Sequence, residues 1–222
     1  MLHPDEENAV AERFGVARGQ VRRDHLISHL LAAISTHAAD EVIFFGGTAL
    51  SRTIAPHGRL SEDIDLIALG RRRDTAEKLE TSLLRTTRRE FPGLRWQPPL
   101  TAVRDTEPAV LTTTDGITVR LQLLRSEGYP PWPTTTASLV QRYRDAPSAT
   151  LTVPTAAAFA AAKTVAWIDR AACRDLFDLW LLAQAGAIST EAARLFTRHG
   201  PTTTPPTRAL FSHPPQEPHW RR

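Results

Sequence analysis

The sequence predicts a mixed α/β (α+β) fold in which a mixed sheet with its own helices is followed by a C-terminal helical lobe. Short runs rich in β-branched and aromatic residues, at 41–45 and 63–69, predict buried strands on either side of a helix. Apolar residues recur at helical spacing through 21–34. From about residue 154 the composition changes to alanine-rich segments that are typical of helices.

The elements follow from periodicity and from turn residues. The N-terminal half is predicted to hold two helices within 6–36, a strand at 41–45, a helix at 49–55 capped by Thr48, a strand at 63–69 and a helix at 74–90 with Asp74 as its N-cap. Strand candidates follow at 94–97, 100–104, 110–113 and 117–124, and Asp115-Gly116 is a hairpin signal between the last two. The C-terminal helices are predicted at 156–168, 171–185 and 190–198.

The change in composition near residue 150 predicts three parts. These are an α/β part over 1–145, a helical lobe over 150–200, and a tail over 200–222. The tail is rich in proline and threonine and ends in His-Trp-Arg-Arg, so we expect it to be extended or poorly ordered.

Composition excludes several classes of protein. No apolar stretch approaches the roughly 20 residues that a membrane helix needs, and the acidic N-terminus has no apolar region of a secretory signal. A single cysteine, Cys173, excludes a disulfide framework and a cysteine-based zinc site. We therefore expect a cytoplasmic protein that does not associate with membranes.

The basic residues are unevenly distributed, although the net charge is only +3. Lysine occurs only at Lys78 and Lys163, so a lysine within a motif is informative. The segment 71–95 concentrates positive charge, in Arg71, Arg72, Arg73, Lys78, Arg85, Arg88, Arg89 and Arg95. Such a run is either a solvated helix face or a surface for the phosphates of a nucleic acid.

Two carboxylates and a glycine turn carry the chemistry. Asp63 and Asp65 are two residues apart on a predicted strand, so both side chains lie on one face. A divalent cation relieves their repulsion, and ligand sets made only of oxygen suit Mg²⁺ or Mn²⁺. The turn Gly46-Gly47-Thr48 lets the backbone and the first amides of a helix approach a phosphate. Together these features predict a metal–nucleotide site.

This constellation resembles a known family. The segments 46–50 and 59–66, with 23–31 upstream and Lys163 and 174–179 downstream, are similar to the AbiEii/AbiGii nucleotidyltransferase toxins of bacterial type IV toxin–antitoxin systems, which include the MenT-type toxins. The resemblance covers about 15–185 and implies a nucleotidyltransferase core of the polymerase-beta-like type. It also implies transfer of a nucleoside monophosphate from an NTP to the 3′ end of tRNA, which blocks translation, and a cognate antitoxin.

The resemblance also assigns roles to residues. It implies that Asp63, Asp65, Lys163 and Asp178 are catalytic, with Asp63 and Asp65 binding Mg²⁺ or Mn²⁺. It assigns nucleotide binding to Gly46, Gly47, Thr48, Arg59, Ser61, Lys163 and Arg174. On one straight helix Lys163 and Asp178 would lie about 22 Å apart, so the chain must turn between them, most simply at 169–172. We then expect the active site in the cleft between the two parts.

Other features leave alternatives open. Many enzymes of this fold carry a third carboxylate on a later strand, but 117–124 offers only Arg120 and Gln122 on that face. The alternatives are nucleotidylation of a protein, a glycosyltransferase that binds its metal through Asp-x-Asp, and a nucleotide- or RNA-binding protein without catalysis. His25 and His29 share a helix face without an obvious acidic partner, so we interpret them as polar surface or core histidines.

Overall fold

The structure is a computed structural model that describes residues 2–212 and 215–216. Its helices are α1 (Pro4–Phe14), α2 (Arg18–Ala38), α3 (Gly46–Arg52), α4 (Arg72–Thr87), α5 (Ala156–Arg170), α6 (Cys173–Gln184) and α7 (Thr190–His199). Its strands are β1 (Val42–Phe45), β2 (Asp63–Ala68), β3 (Arg95–Trp96), β4 (Ala109–Thr112), β5 (Thr118–Arg125), β6 (Thr134–Ser138) and β7 (Thr150–Pro154). No helix among the described residues is long and apolar enough to span a bilayer.

The strands form one sheet in the order β3-β4-β5-β2-β1-β7-β6. Strand β2 is antiparallel to β1 and parallel to β5, so the sheet is mixed, and the predicted fold class is confirmed. Ile64 and Leu66 of β2 are fully buried, whereas Asp63 and Asp65 are only partly buried. The alternation of the strand therefore separates the core face from the face that carries the carboxylates.

Helix α2 packs beside the sheet and buries most of its residues. Its apolar residues from Leu26 to Ile34 have almost no exposed surface, and the helix packs against α4. Helices α2 and α4 both contact β5. The apolar stripe seen in the sequence therefore belongs to the core of the sheet layer.

A buried ionic cluster joins α2 to α3. Asp24 accepts a hydrogen bond of 2.7 Å from Arg52, lies 3.3 Å from Arg142, and accepts a third hydrogen bond, of 3.0 Å, from the Tyr143 hydroxyl. Asp24 and Arg52 are 1% and 0% exposed. Removing one partner from such a cluster leaves a charge buried without compensation, which costs about 3–5 kcal/mol. The cluster therefore fixes the helix that carries the glycine turn.

The chain divides into two compact units. Unit 1 comprises Met1–Tyr129 and Thr136–Val153, and unit 2 comprises Pro130–Thr135 and Pro154–Arg222. Within unit 2, α5 ends at Ala171, whose left-handed backbone (φ 45°) reverses the chain into α6. Helices α6 and α7 both pack against α5.

Several local predictions were wrong for identifiable reasons. Helix α4 begins two residues before Asp74, so Asp74 lies in the first turn rather than at the N-cap. Residues 100–104 were predicted as a strand, but Leu100–Ala102 form a 3-10 helix after the Pro98-Pro99 pair. Strands β6 and β7 were missed, and β6 is polar and largely exposed, so it has no apolar alternation.

The tail is partly ordered. Arg208–Phe211 form a 3-10 helix, in which the Leu210 carbonyl accepts a hydrogen bond of 2.8 Å from the Trp167 indole. Phe211 stacks on the same indole, with ring centroids 6.2 Å apart. The expectation of an extended tail is therefore wrong for this segment, while the terminal His-Trp-Arg-Arg lies outside the described residues.

Candidate functional site

The glycine turn and the Asp65 carboxylate lie against one another in unit 1. Antiparallel pairing of β1 with β2 sets Phe45 opposite Asp65, so the next residue, Gly46, reaches the Asp65 side chain. Gly46 has a φ of +79°, and a Cβ atom placed on it would overlap the Asp65 Oδ2. Glycine is required here both for the backbone conformation and for the space that the carboxylate occupies.

Arg59 and Ser61 lie beside the second glycine. A Cβ atom on Gly47 would lie 2.8 Å from Arg59 Nη2 and 3.2 Å from Ser61 Oγ. The loop between α3 and β2 therefore brings a guanidinium and a hydroxyl to the backbone of the turn. These donors, with the backbone amides of the turn, are groups that bind phosphate oxygens.

Thr48 does not cap α3, contrary to the sequence prediction. The helix begins at Gly46 and its N-cap is Phe45, whose side chain makes no capping hydrogen bond. The Thr48 hydroxyl instead donates to the backbone carbonyl of Asp63. Thr48 is 1% exposed, so it ties the glycine turn to the start of the acidic strand.

Asp63 is held by an arginine from the neighbouring strand. Parallel pairing of β2 with β5 sets Asp63 opposite Arg120, and the guanidinium donates two hydrogen bonds to the carboxylate, of 2.8 and 3.1 Å. The hydrogen bond to Asp63 and its negative charge raise the pKa of Arg120. The Asp63 side chain is still 31% exposed, so it remains accessible from solvent.

Strand β5 supplies no acid at the position next to the carboxylates. Gln122 lies opposite Asp65, and its side-chain amide donates a hydrogen bond of 3.0 Å to the backbone carbonyl of Thr106. The paired acidic face therefore consists of Asp63 and Asp65, whose oxygen atoms are of the kind that Mg²⁺ and Mn²⁺ prefer. This donor set fits a divalent cation, and Arg120 competes with such a cation for Asp63.

A buried ionic cluster lies within unit 2. The Lys163 ammonium lies 2.7 Å from Asp178 Oδ2 and 3.2 Å from Asp175 Oδ1. Arg170 donates two further hydrogen bonds to Asp175, of 2.6 and 2.8 Å. Burial alone would raise the pKa of Asp175, but the hydrogen bonds and charges of Arg170 and Lys163 hold that pKa below its ordinary value.

The predicted turn between Lys163 and Asp178 is present. Ala171 and Ala172 connect α5 to α6, and the two helices pack so that the two side chains form an ion pair. Lys163 is only 7% exposed, and its two acidic partners hold the side chain in place. Arg174, by contrast, is exposed on α6.

Asp175 is the most deeply buried residue of this cluster. It lies one helical turn from Asp178 on α6, is fully buried, and bridges Lys163 to Arg170. The N-cap of α6 is Ala172, and the arginine that Asp175 binds is Arg170.

Comparison with known proteins identifies both a family and a fold. The family model of the nucleotidyl transferase AbiEii toxin, of type IV toxin–antitoxin systems, matches residues 29–222. MenT4, a nucleotidyltransferase toxin from Mycobacterium tuberculosis, is similar with a TM-score of 0.70 at 20% identity, over 96% of this chain and 79% of that one. The antibiotic-resistance factor ANT(2'')-Ia has a TM-score of 0.53 at 15% identity, over 81% and 91%. No curated protein sequence matches the chain.

Proposed function

The chain belongs to the AbiEii family of nucleotidyltransferase toxins of type IV toxin–antitoxin systems, and from this premise we propose that it transfers a nucleoside monophosphate from an NTP to the 3′ end of tRNA. The observation that carries the proposal is the packing of the Gly46 turn on the Asp65 carboxylate. This contact brings a backbone able to bind phosphate beside a residue able to bind a cation.

The phosphate contacts follow from the geometry of the turn. The amides of Gly46, Gly47 and Thr48 lie at the start of α3, where backbone N–H groups have no partner within the helix. Arg59 and Ser61, beside Gly47, add a charged donor and a hydroxyl donor. We assign these five residues to the triphosphate.

Asp63 and Asp65 would hold Mg²⁺, or Mn²⁺ in its place. When bound, this ion neutralises charge on the triphosphate and on the departing pyrophosphate. Asp65 is oriented by its contact with Gly46, whereas Arg120 donates two hydrogen bonds to Asp63 and so competes with the ion for its oxygens. The role of these two residues is thus to present carboxylate oxygens on one face of β2.

Lys163, Asp178 and Arg174 complete the proposed set. The family resemblance supports Lys163 as a phosphate contact and Asp178 as the base that accepts the proton of the attacking hydroxyl. Their ion pair of 2.7 Å orients both groups, and Asp175 adds a second anchor for the lysine. Arg174 is exposed and available to a phosphate.

Exposed arginines support an RNA acceptor. Arg71 and Arg73, at the start of α4, each lie near an acidic residue of the same helix. The surface that we propose for RNA is instead the far end of α4 with the strand after it, where four arginines are exposed, namely Arg85, Arg88, Arg89 and Arg95. Such a surface binds phosphates without reading bases. Because the proposed substrates are NTP and tRNA, we place the protein in the cytoplasm, and family membership supports a cognate antitoxin as partner.

One experiment tests the acceptor. Purified protein is incubated with Mg²⁺, total tRNA and each α-labelled NTP in turn, beside Asp65→Ala. We expect label to enter RNA with the wild type, and we expect Asp65→Ala to abolish incorporation. Label in protein instead of RNA would redirect the proposal to nucleotidylation of a protein target. If neither RNA nor protein were labelled although NTP still bound, the proposed transfer would be wrong.

The metal requirement is tested separately. Removal of divalent cations by EDTA is expected to stop incorporation, and re-addition of Mg²⁺ or Mn²⁺ to restore it. Asp63→Asn should need a higher Mg²⁺ concentration for half-maximal rate, because one anionic ligand is removed. Undiminished incorporation in EDTA would contradict the assignment of Asp63 and Asp65 as cation ligands.

A further inference from the structure

Two histidines and an aspartate of unit 1 converge on one point away from the acidic strand. His25 and His29 lie one turn apart on α2, and Asp145 lies in the loop between β6 and β7. His25 Nε2 lies 3.0 and 3.1 Å from the two carboxylate oxygens of Asp145, and 3.3 Å from His29 Nε2. His29 Nε2 lies 3.6 Å from Asp145 Oδ2. The two histidines are 4% and 5% exposed, respectively.

We propose that His25, His29 and Asp145 form a binding site for a transition-metal ion of the Zn²⁺ class. A tetrahedral ion with nitrogen and oxygen ligands about 2.0–2.1 Å away keeps its ligand atoms about 3.3 Å from one another. With Oδ2 as the ligand atom of Asp145, the three separations are 3.1, 3.3 and 3.6 Å, and they bracket that value. The ligand atoms thus already have the spacing of a tetrahedral set.

Hydrogen bonds alone do not account for all the close contacts among these three side chains. His25 Nε2 faces both oxygens of Asp145 and also His29 Nε2, although a ring nitrogen carries at most one proton. A cation at the centre contacts all three groups at once. A neutral imidazole is the form that binds a metal.

Aromatic neighbours hold the two rings in place. The Tyr143 ring meets the His25 ring edge to face at 4.9 Å, and Phe91 lies 5.4 Å from each histidine ring. Tyr143 is itself anchored, because its hydroxyl lies within hydrogen-bonding distance of two acceptors, the Val21 carbonyl at 3.1 Å and Asp24 at 3.0 Å. The ligand geometry therefore depends on packing, so the site is arranged in advance for an ion.

The site borders a cavity at His25. This cavity has a volume of about 270 Å³ and is also lined by Glu7, Glu90 and Phe91. Three protein ligands leave the fourth position of a tetrahedral ion for water or for a further ligand. Two imidazoles and one carboxylate select Zn²⁺, Co²⁺ or Ni²⁺ over Mg²⁺, which prefers oxygen ligands. This site is therefore chemically distinct from the pair Asp63 and Asp65.

The effect of the ion is to stabilise unit 1. Metal ligation joins α2 to the loop that carries Arg142, Tyr143 and Asp145, and the same loop contributes to the buried cluster around Asp24. An ion that binds only the folded chain stabilises it in proportion to the logarithm of its concentration over the dissociation constant. The inference is independent of which acceptor the enzyme uses.

Metal binding is tested with the full chain after treatment with a chelator. Co²⁺ is titrated while the visible absorption typical of a tetrahedral site is recorded, and Zn²⁺ is added in competition. We expect one equivalent of Co²⁺ to bind, Zn²⁺ to displace it, and Zn²⁺ but not Mg²⁺ to raise the melting temperature. His29→Gln and Asp145→Asn should each weaken Co²⁺ binding by at least about tenfold.

Two controls make the test specific. His37→Gln removes a histidine from the same helix that bonds to Thr86 instead, and Asp65→Ala removes the proposed Mg²⁺ ligand. Both variants should keep the Co²⁺ spectrum. Absence of a saturable tetrahedral spectrum in the wild type would overturn the proposal, as would unchanged Co²⁺ binding in folded His29→Gln. The wild-type spectrum decides the matter even if the ligand variants fail to fold.

Discussion

At Gly46 the backbone comes so close to the Asp65 carboxylate that no side chain fits between them. Nearby, the carboxylate of Asp63 accepts a hydrogen bond from Arg120, and the hydroxyl of Thr48 donates one to the backbone carbonyl of Asp63. The chemistry of this site therefore depends on single atoms of neighbouring residues. Substitutions that change one interaction at a time give the clearest tests.

Gly46→Ala tests the contact of the turn with Asp65. The new Cβ must displace the Asp65 carboxylate, and a displacement of about 1 Å costs about a hundredfold in rate. Gly116→Ala is the matched control, because Gly116 also has positive φ (+86°) but nothing within 4 Å of its Cβ position. Both variants should lose about 1–2 kcal/mol of stability, and only Gly46→Ala should lose nucleotide incorporation. Equal activity in the two would refute the role of the contact.

Arg120→Gln tests competition at Asp63. Without the guanidinium the carboxylate is free for a cation, so half-maximal incorporation should need about two- to fivefold less Mg²⁺, the effect expected of an exposed ion pair. The comparison is Arg125→Gln on the same strand, which removes an arginine 3.7 Å from Asp105 instead. Initial rates across a Mg²⁺ series give the answer. A higher Mg²⁺ requirement in Arg120→Gln would mean that Arg120 assists Asp63 rather than competing for it.

Among the elements, α4 shows how position along a helix changes the role of an arginine. Arg72 donates to the carbonyls of Leu123 and Leu100 and so fixes the helix to its surroundings. Arg73 pairs with Glu77 one turn later. The arginines at the end of the helix are exposed, and they provide the positive surface proposed for tRNA.

Neutralising the end of α4 should weaken tRNA binding. Arg88→Gln with Arg89→Gln should raise the Kd for tRNA and lower the slope of its salt dependence by about one unit for each phosphate that is no longer neutralised. The control with the same change in net charge is Arg71→Gln with Arg73→Gln, at the start of the helix. Filter binding over a series of salt concentrations measures both quantities. Indistinguishable salt slopes for the two pairs would show that the end of α4 has no special part in binding.

The pair α5 and α6 shows what spacing in a sequence can and cannot predict. The roles that the family resemblance assigns to Lys163 and Asp178 required a turn between them, and the structure has one at Ala171. The same spacing held no information about Arg170, whose pairing with Asp175 depends on how the turn orients the two helices. The need for a turn was thus predictable, whereas the full ionic cluster was not.

For the whole molecule, the proposal requires that residues of both units serve one reaction. If they do, Asp65→Asn and Lys163→Met should be strongly non-additive, so that the double variant is little slower than the slower single variant. Single-turnover incorporation with saturating NTP measures this. For Asp65→Asn combined with Arg88→Gln, the fold-decrease in rate should instead equal the two separate fold-decreases multiplied together. If the fold-decreases for Asp65→Asn and Lys163→Met also multiplied in the double variant, a shared role would be contradicted.

The sequence by itself determined the mixed fold, the glycine turn, the common face of Asp63 and Asp65, and the turn before Asp178, because each depends on local periodicity or on spacing along the chain. Only the tertiary structure decided which groups meet across long separations. Arg120 reaches Asp63 across 57 residues, and Asp145 reaches His25 across 120. Such pairs depend on strand order and on helix packing, which leave no local pattern in the sequence. For that reason the histidines of α2 resembled ordinary core residues until the loop carrying Asp145 was in place.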